Sequence, residues 1–376
     1  MNQLILDKFE KKFLPKIEGQ KIDLKSIKEF FKDIKNMNTF LKDCPEFYQN
    51  FELIKYVNSG SSGIVYEGES KNNNKKKTAL KFIMGKIIEE KRDKNINNQK
   101  LLKEYNFQEK LHHINIAGLY GLYPIKNCSC IAMEYAKYGD LDYFQKKLIK
   151  KKYLSETLIA YITFQILEGL KYCHQCKIIH MDIKQQNILI DENLIIKLAD
   201  FSVSQSYELY KEGSKYNLPL AGTSLYMSPE VLGKYEIDIE DCNKVDMFSL
   251  GTLLYNCAFG QFPYQLQFSD RNNCKLIYAK IRGEMLVFPN NKSYSALFKN
   301  FLRNLLNKNI KNRYSIKDAM DDPWIKVSKL IFKEKEKIND LEKFLISIVT
   351  DNIKSFNDYI KNYRAEVSTS LSSNSN

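Results

Sequence analysis

No apolar run in this chain approaches the ~20 residues that a membrane-spanning helix requires, so no membrane span is expected. Nor does a signal peptide open it: Met1 to Lys16 interrupts its apolar positions with charge every few residues. The eight cysteines lack the spacing of a disulfide framework. Together these absences point to a reducing compartment, cytoplasm or nucleus. A compact basic stripe is missing too. The formal net charge of +13 comes from Lys scattered among many Asn, so no nucleic-acid partner is expected. Cys173-His174-Gln175-Cys176 has no second ligand pair nearby to complete a zinc tetrahedron, and a buried Cys173 at a helix end is the preferred reading. What remains is a globular composition, with 44% hydrophobic and 27% charged residues over 376 positions, enough for two lobes and a large core.

The rest of the chain is organised around Ile179 to Asn187, I-H-M-D-I-K-Q-Q-N. An Asp and an Asn five residues apart with a Lys between them supply a carboxylate for a hydroxyl proton, an ammonium for transferred charge and an amide oxygen for Mg²⁺. Thirteen residues beyond Asn187, Asp200-Phe201-Ser202 ends the apolar run Leu194 to Ala199 and adds a second metal-seeking carboxylate. These two stretches resemble the catalytic loop H-R-D-x-K-x-x-N and the metal motif D-F-G of the eukaryotic protein kinases, with Met181 for Arg and Ser202 for Gly.

The resemblance continues in the family's order over residues 51 to 324. Strand candidates Phe51 to Val57 and Ile64 to Glu69 flank N-S-G-S-S-G, which resembles the glycine-rich loop with Asn58 at the first Gly position, then Gly60, Gly63 and Val65. Such a loop brings backbone N–H groups against phosphate oxygens, where a Cβ obstructs. Ala79-Leu80-Lys81 on a third strand, Thr78 to Ile83, takes the place of V-A-I-K and implies that Lys81 reaches the α and β phosphates of ATP. Glu104, nine residues before His113, stands where the family places the glutamate that pairs with this lysine; Glu109, Glu89 and Glu90 compete. Gln108, one turn on, replaces an apolar spine residue.

Two more strands, Ile116 to Tyr123 and Ser129 to Glu134, lead to a segment resembling the interlobe hinge. Met133 would be gatekeeper, with adenine bonded to the Glu134 carbonyl and the Ala136 N–H. Asp140 is a ribose acceptor or a helix N-cap, and Leu189 completes the nucleotide-binding set. Asn187 and Asp200 are the implied Mg²⁺ ligands. Ser228-Pro229-Glu230 resembles A-P-E, and Arg313 is the implied partner of Glu230. Asp246 is implied to hold the catalytic loop from beneath.

The expected fold is α+β and two-lobed: an N-terminal helical extension (1–46), a β-rich small lobe with one helix (47–136), a larger helical lobe (137–324), then a helix and polar tail (325–376). That tail carries Ile338, Leu341, Leu345 and Ile348 at three-four spacing, a stripe that packs on its own domain or meets a partner. The implied activity is transfer of the ATP γ-phosphoryl group to Ser or Thr hydroxyls of protein substrates. Asp182 acts as base and Lys184 as charge neutraliser, and Lys184 together with Thr223 marks the serine/threonine branch. A pseudokinase scaffold would have lost catalytic residues, and a small-molecule kinase would lack the Ser-Pro-Glu and Asp246 region.

Selection of Arg upstream of the acceptor commonly uses a Glu just before the catalytic-loop Asn and another near the end of the helix bearing Asp246. Here those positions hold Gln186 and Asn256, and the net charge of +13 disfavours basic peptides. A degenerate peptide library should therefore show no enrichment of Arg two or three residues before the acceptor; strong enrichment would refute this.

Overall fold

Runs rich in β-branched and aromatic residues between residues 51 and 134 favour strands in the first unit, Met1–His112 with Ala117–Ala136. The computed structural model describes residues 32–41, 44–60, 63–72, 75–83, 104–125, 128–290, 294–336 and 344. Five strands, β1 (Phe51–Gly60), β2 (Gly63–Ser70), β3 (Lys77–Ile83), β4 (Leu119–Ile125) and β5 (Cys128–Glu134), form one antiparallel sheet in the order β1-β2-β3-β5-β4. The first hairpin is tighter than the sequence suggests: pairing runs on to Gly60 and Gly63. Gly63 has φ +146°, and a Cβ there would sit 2.4 Å from the Phe82 carbonyl oxygen, so close approach to β3 requires glycine.

One face of the sheet is covered by the N-terminal extension. Helices α1 (Ile34–Leu41) and α2 (Pro45–Asn50), the latter opened by proline in its first turn, bury Met37, Leu41 and Phe47 against Phe51, Tyr66 and Phe82. Tyr48 Oη donates to the Asn38 carbonyl at 3.0 Å, and Lys71 N to the Asn50 carbonyl at 2.8 Å. Burying side chains the size of Met37 and Leu41 stabilises by ~1.5–3 kcal/mol each. A short helix over 104–109, α3, completes the described part of this unit. The apolar positions Ile27, Phe30 and Phe31, which stand at near-helical spacing in the N-terminal extension, the competing carboxylates Glu89 and Glu90, and the cation Lys100 between them and Glu104 lie outside the described residues.

The second unit, His113–Ile116 with Lys137–Asn376, is built on two helices with few exposed positions. Helix α4 (Glu156–Gln175) is capped by Ser155 Oγ, which accepts from Leu158 N at 3.2 Å. Between α4 and α6 (Lys244–Phe259) run the strands β6 (Ile178–Ile179), β7 (Ile188–Ile190) and β8 (Ile196–Leu198), and the helix α5 (Pro229–Gly233). Helices α7 (Cys274–Gly283), α8 (Ala296–Leu305), α9 (Ile316–Asp321) and α10 (Pro323–Glu336) follow. Trp324, fully buried, packs on Phe298 and Phe301 with ring centroids 4.9 and 5.1 Å away, and its Nε1 donates to Glu156 Oε1 at 2.9 Å. Phe332 on α10 stacks on Tyr161 of α4 at 5.9 Å. The C-terminal helix is thus packed on its own unit as far as Phe332, whereas Ile338, Leu341, Leu345 and Ile348 lie outside the described residues.

One expectation needs correction, and one segment acquires structure that its sequence does not announce. The strand expected at Ile116 to Tyr123 runs from Leu119 to Ile125, because Asn115 and Ile116 are engaged elsewhere: the Asn115 carbonyl accepts from Leu198 N at 2.9 Å and Ile116 bridges Leu198. The polar stretch Ser202 to Leu220 is partly strand. Its β9 (Gln205–Ser206) pairs with β6, and its β10 (Lys215–Asn217) pairs with β11 (Glu236–Asp238). Strands of two or three residues carry no readable period.

Met37→Ala and Leu41→Ala should each lower the unfolding free energy by ~2–5 kcal/mol, as buried truncations in well-packed sites do. Denaturant midpoints equal to wild type would show the N-terminal helices to be dispensable.

Candidate active site

Asp246, in the first turn of α6 and fully buried, shapes the loop that follows β6. Its carboxylate accepts from His180 N at 2.9 Å, from Met181 N at 2.8 Å and from His174 Nε2 at 2.9 Å. The zinc-like run therefore resolves into a buried Cys173 and an Asp246-bound His174, and no metal-ligand cluster of three or more His, Cys, Asp or Glu occurs among the described residues. Met181 is held at φ +70°, a conformation that costs a side-chain-bearing residue ~1–3 kcal/mol and persists only when its surroundings enforce it. Gly222 packs on the same residue: a Cβ there would lie 2.4 Å from the Met181 carbonyl oxygen.

This backbone turns Asp182 toward three donors. Lys184 Nζ reaches its Oδ2 at 2.6 Å, Asn187 Nδ2 the same oxygen at 3.0 Å, and Thr223 N its Oδ1 at 2.8 Å. Lys184 Nζ also donates to Thr223 Oγ1 at 2.8 Å, closing a ring of Asp182, Lys184 and Thr223. His180 stays in the interior. Its Nδ1 accepts from Asp182 N at 3.3 Å, its Nε2 faces the Ala199 carbonyl at 3.1 Å, and its ring lies 4.8 Å from that of Phe201. Both ring nitrogens are occupied by backbone, so His180 is a packed residue and not a base.

The Asn187 amide nitrogen is spent on the Asp182 carbonyl at 2.8 Å and on its carboxylate, which turns the amide oxygen away as an acceptor. Ala199 N donates to the Asn187 carbonyl at 3.0 Å, bringing the next residue, Asp200, alongside; Asp200 has φ +66°. One amide oxygen and one carboxylate are hard donors too few for an all-protein cage. They suit Mg²⁺, which keeps waters and takes its other ligands from phosphate. Leu189 on β7 bridges Asp140, and Asp140 Oδ1 accepts from Tyr143 N at 2.9 Å, the N-cap reading. Burial raises the Asp140 pKa. Glu230 and the almost fully buried Arg313 form the expected pair, bidentate at 2.5 and 3.0 Å.

In the first unit, Lys81 Nζ meets Glu104 Oε1 at 2.6 Å with both side chains buried. Glu109 is exposed and bonded to Tyr105 Oη at 2.8 Å. On β3, Lys81 is in register with Val65 on β2, and Ala79 with Met133 on β5. Glu134 Oε2 accepts from Gly118 N at 3.0 Å, and the chain leaves the unit at Ala136. Gln108 is buried with its Nε2 donating to the Ala117 carbonyl at 2.8 Å, so a directed bond stands where apolar contact was expected. One site residue escaped the sequence reading. The buried carboxylate Glu67 receives Tyr135 Oη at 2.6 Å, Lys77 at 2.6 Å and Lys55 at 2.9 Å, anchoring the segment around Met133 to Ala136. Burial pushes its pKa up, but the bonds from Lys77, Tyr135 and Lys55 outweigh this and bring it down to about 2.

Most hydroxyls of the segment after Phe201 are engaged. Ser204 donates to the His180 carbonyl at 3.1 Å, Tyr207 to that of His174 at 3.0 Å, and Tyr216 to that of Ser206 at 3.2 Å. Met181 offers no cation to a phosphate here, and Gln205 is neutral and bonded to the Val203 carbonyl.

A carboxylate poised with Lys and Asn on an Asp-anchored loop, and a buried Lys–Glu pair on an antiparallel sheet, define the two-lobed α+β fold of a phosphoryl-transferring kinase. The family model described as "Protein kinase domain" matches residues 51–325, and the chain belongs to that family. Relatives include serine/threonine-protein kinase pakH of Dictyostelium discoideum, 31% identical over 74% of this chain and 50% of its own length. Calcium-dependent protein kinase 4 of Plasmodium berghei is 30% identical, over 82% and 55% respectively. Aurora kinase of Eremothecium gossypii is 30% identical, over 74% and 70%. The chain spans about half the length of the first two.

Gln108→Leu keeps volume but leaves the buried Ala117 carbonyl without its donor. It should cost ~1–3 kcal/mol of stability in denaturant unfolding; an unchanged midpoint would show that the bond contributes nothing. Since a partly exposed charge pair contributes ~1 kcal/mol or less, and neither Met181 nor Gln205 can offer a cation to a phosphate on this segment, phosphatase treatment should lower kcat/KM by less than ~10-fold, about 1.4 kcal/mol. A hundredfold loss, restored by phosphorylating the segment, would show that another cation serves.

Proposed function

We propose that this chain is a serine/threonine protein kinase that transfers the γ-phosphoryl group of ATP to protein hydroxyls. The observation that carries the reading is Lys184 Nζ, bonded at once to Asp182 Oδ2 and Thr223 Oγ1. That arrangement sets a carboxylate and a cation at one point beside the segment expected to receive substrate. Asp182 orients the acceptor hydroxyl and takes its proton, a role worth ~10²–10⁴ in rate. Lys184 neutralises charge passing between oxygens, and Lys81, fixed by Glu104, aligns the α and β phosphates. Gly60, Gly63 and Val65 line the phosphates, while Ala79, Glu134, Ala136, Asp140 and Leu189 receive the nucleoside. Asn187 and Asp200 would hold Mg²⁺, which supplies charge neutralisation at the phosphate oxygens. No described helix is long and apolar enough to cross a membrane. Cys44, Cys130, Cys173, Cys176, Cys242, Cys257 and Cys274 are free thiols, which supports placing the protein in the cytoplasm or nucleus.

Transfer of ³²P from ATP to a Ser/Thr peptide library tests this. Wild type should give Mg²⁺- or Mn²⁺-dependent incorporation, and Asp182→Asn and Asp200→Ala should abolish it with the fold intact by circular dichroism. Absence of incorporation into any substrate, the protein itself included, would overturn the proposal.

A further inference from the structure

The second unit has a groove of about 500 Å³ away from the Asp182 loop, between the end of α4, the start of α6 and helix α9. That volume lies within the range of roughly 300–1,000 Å³ typical of ligand pockets. Its lining is uneven in charge: Lys171, Lys177 and Lys317 contribute three ammonium groups against the single carboxylate of Asp321. The walls are apolar, formed by Tyr207, Ile316 and Met320. Lys177 Nζ lies 5.5 Å from the Tyr207 ring centroid, which brings one cation beside the aromatic wall.

His174 lines the same groove and is almost completely buried. Its Nε2 is committed to Asp246 Oδ2 at 2.9 Å, and its Nδ1 has no hydrogen-bond partner among the described residues. An excess of two positive charges matches a dianion, and a phosphate monoester carries about −1.5 to −2 near neutral pH, with a second pKa of ~6. The oxygens of such a monoester would meet the lysines, whereas a simple carboxylate would leave one ammonium uncompensated. The apolar walls favour a ring over a bare ion.

We propose that this groove is an accessory binding site for an aryl phosphate, either a free small molecule or a phosphotyrosine side chain of a peptide. Occupancy bears on the proposed reaction through two contacts. Tyr207 N donates to the Lys177 carbonyl at 3.0 Å and its Oη to the His174 carbonyl at 3.0 Å, tying the segment after Phe201 to the end of α4. His174 in turn holds the carboxylate that fixes the loop before Asp182.

Calorimetric titration of the full chain with phenyl phosphate, inorganic phosphate and a phosphotyrosine peptide tests the site. A Lys177→Glu/Lys317→Glu double variant and the groove-filling Met320→Trp run alongside, with folding checked by thermal midpoint. Phenyl phosphate should bind saturably and about tenfold tighter than inorganic phosphate. Both variants should lose that binding by at least about tenfold while keeping wild-type affinity for a fluorescent ATP analogue. A peptide that binds tighter than phenyl phosphate assigns the site to phosphotyrosine, and one that binds no tighter assigns it to a small molecule. Absence of saturable binding, undiminished binding to both variants, or competition with the ATP analogue would overturn the proposal.

Discussion

The buried carboxylate of Asp246 is the constraint on which the second unit's chemistry depends. An ionised carboxylate removed from water is costly unless donors surround it, and here the donors are His180 N, Met181 N and His174 Nε2. The two backbone donors are consecutive, so the loop must present both N–H groups to one point, and Met181 adopts φ +70° as a result. The strain stored there is offset by charge-assisted bonds that no alternative backbone path could form. Beyond Met181 the chain emerges with Asp182 facing Lys184, Asn187 and Thr223. The orientation of the proposed base is thus fixed one residue away from it, by a group that never touches substrate.

The segment after Phe201 solves a different problem. Met181 carries no charge, and the segment is ordered instead through backbone pairing and aromatic anchoring. The short β6–β9 and β10–β11 ladders hold the segment at two points, with the buried Tyr207 just beyond β9 and the buried Tyr216 within β10. Lys215 and Lys311 both pair with Asp238 at the outer edge, and Lys311 and Lys244 with Asp241. The pairs made by Lys215 and Lys311 are exposed on the lysine side and individually weak, so the ladders and buried rings carry most of the ordering.

What could be read from the sequence follows from how local each feature is. Asp182, Lys184 and Asn187 lie within six consecutive residues, and their chemistry was legible because the loop brings together neighbours in the chain. Lys81 and Glu104 were legible only through motif order, since four carboxylates competed on composition alone; burial decides for Glu104, and Glu109 stays in solvent. The His174–Asp246 bond joins residues 72 apart, and Glu67 and Tyr135 are separated by 68. Such bonds leave no periodic trace, and a lone Glu on a strand reads as an ordinary exposed carboxylate. The three-residue strands β10 and β11 failed for the related reason that pairing, not propensity, creates them.

Gln108 shows how far a single polar substitution can alter the physics of a helix position. An apolar side chain there would hold α3 by contact area, an interaction that tolerates sliding because it is non-directional. The amide instead fixes the helix to one carbonyl, that of Ala117, with a bond lost under a displacement of about an ångström. Glu104 lies one helical turn earlier on the same face, so the register that satisfies Gln108 is also the one that brings Glu104 to Lys81. The two bonds are mutually dependent: breaking either leaves a buried polar group unpaired at the other's expense. Placement of α3 is therefore a steep choice, set by Gln108 and Glu104 together.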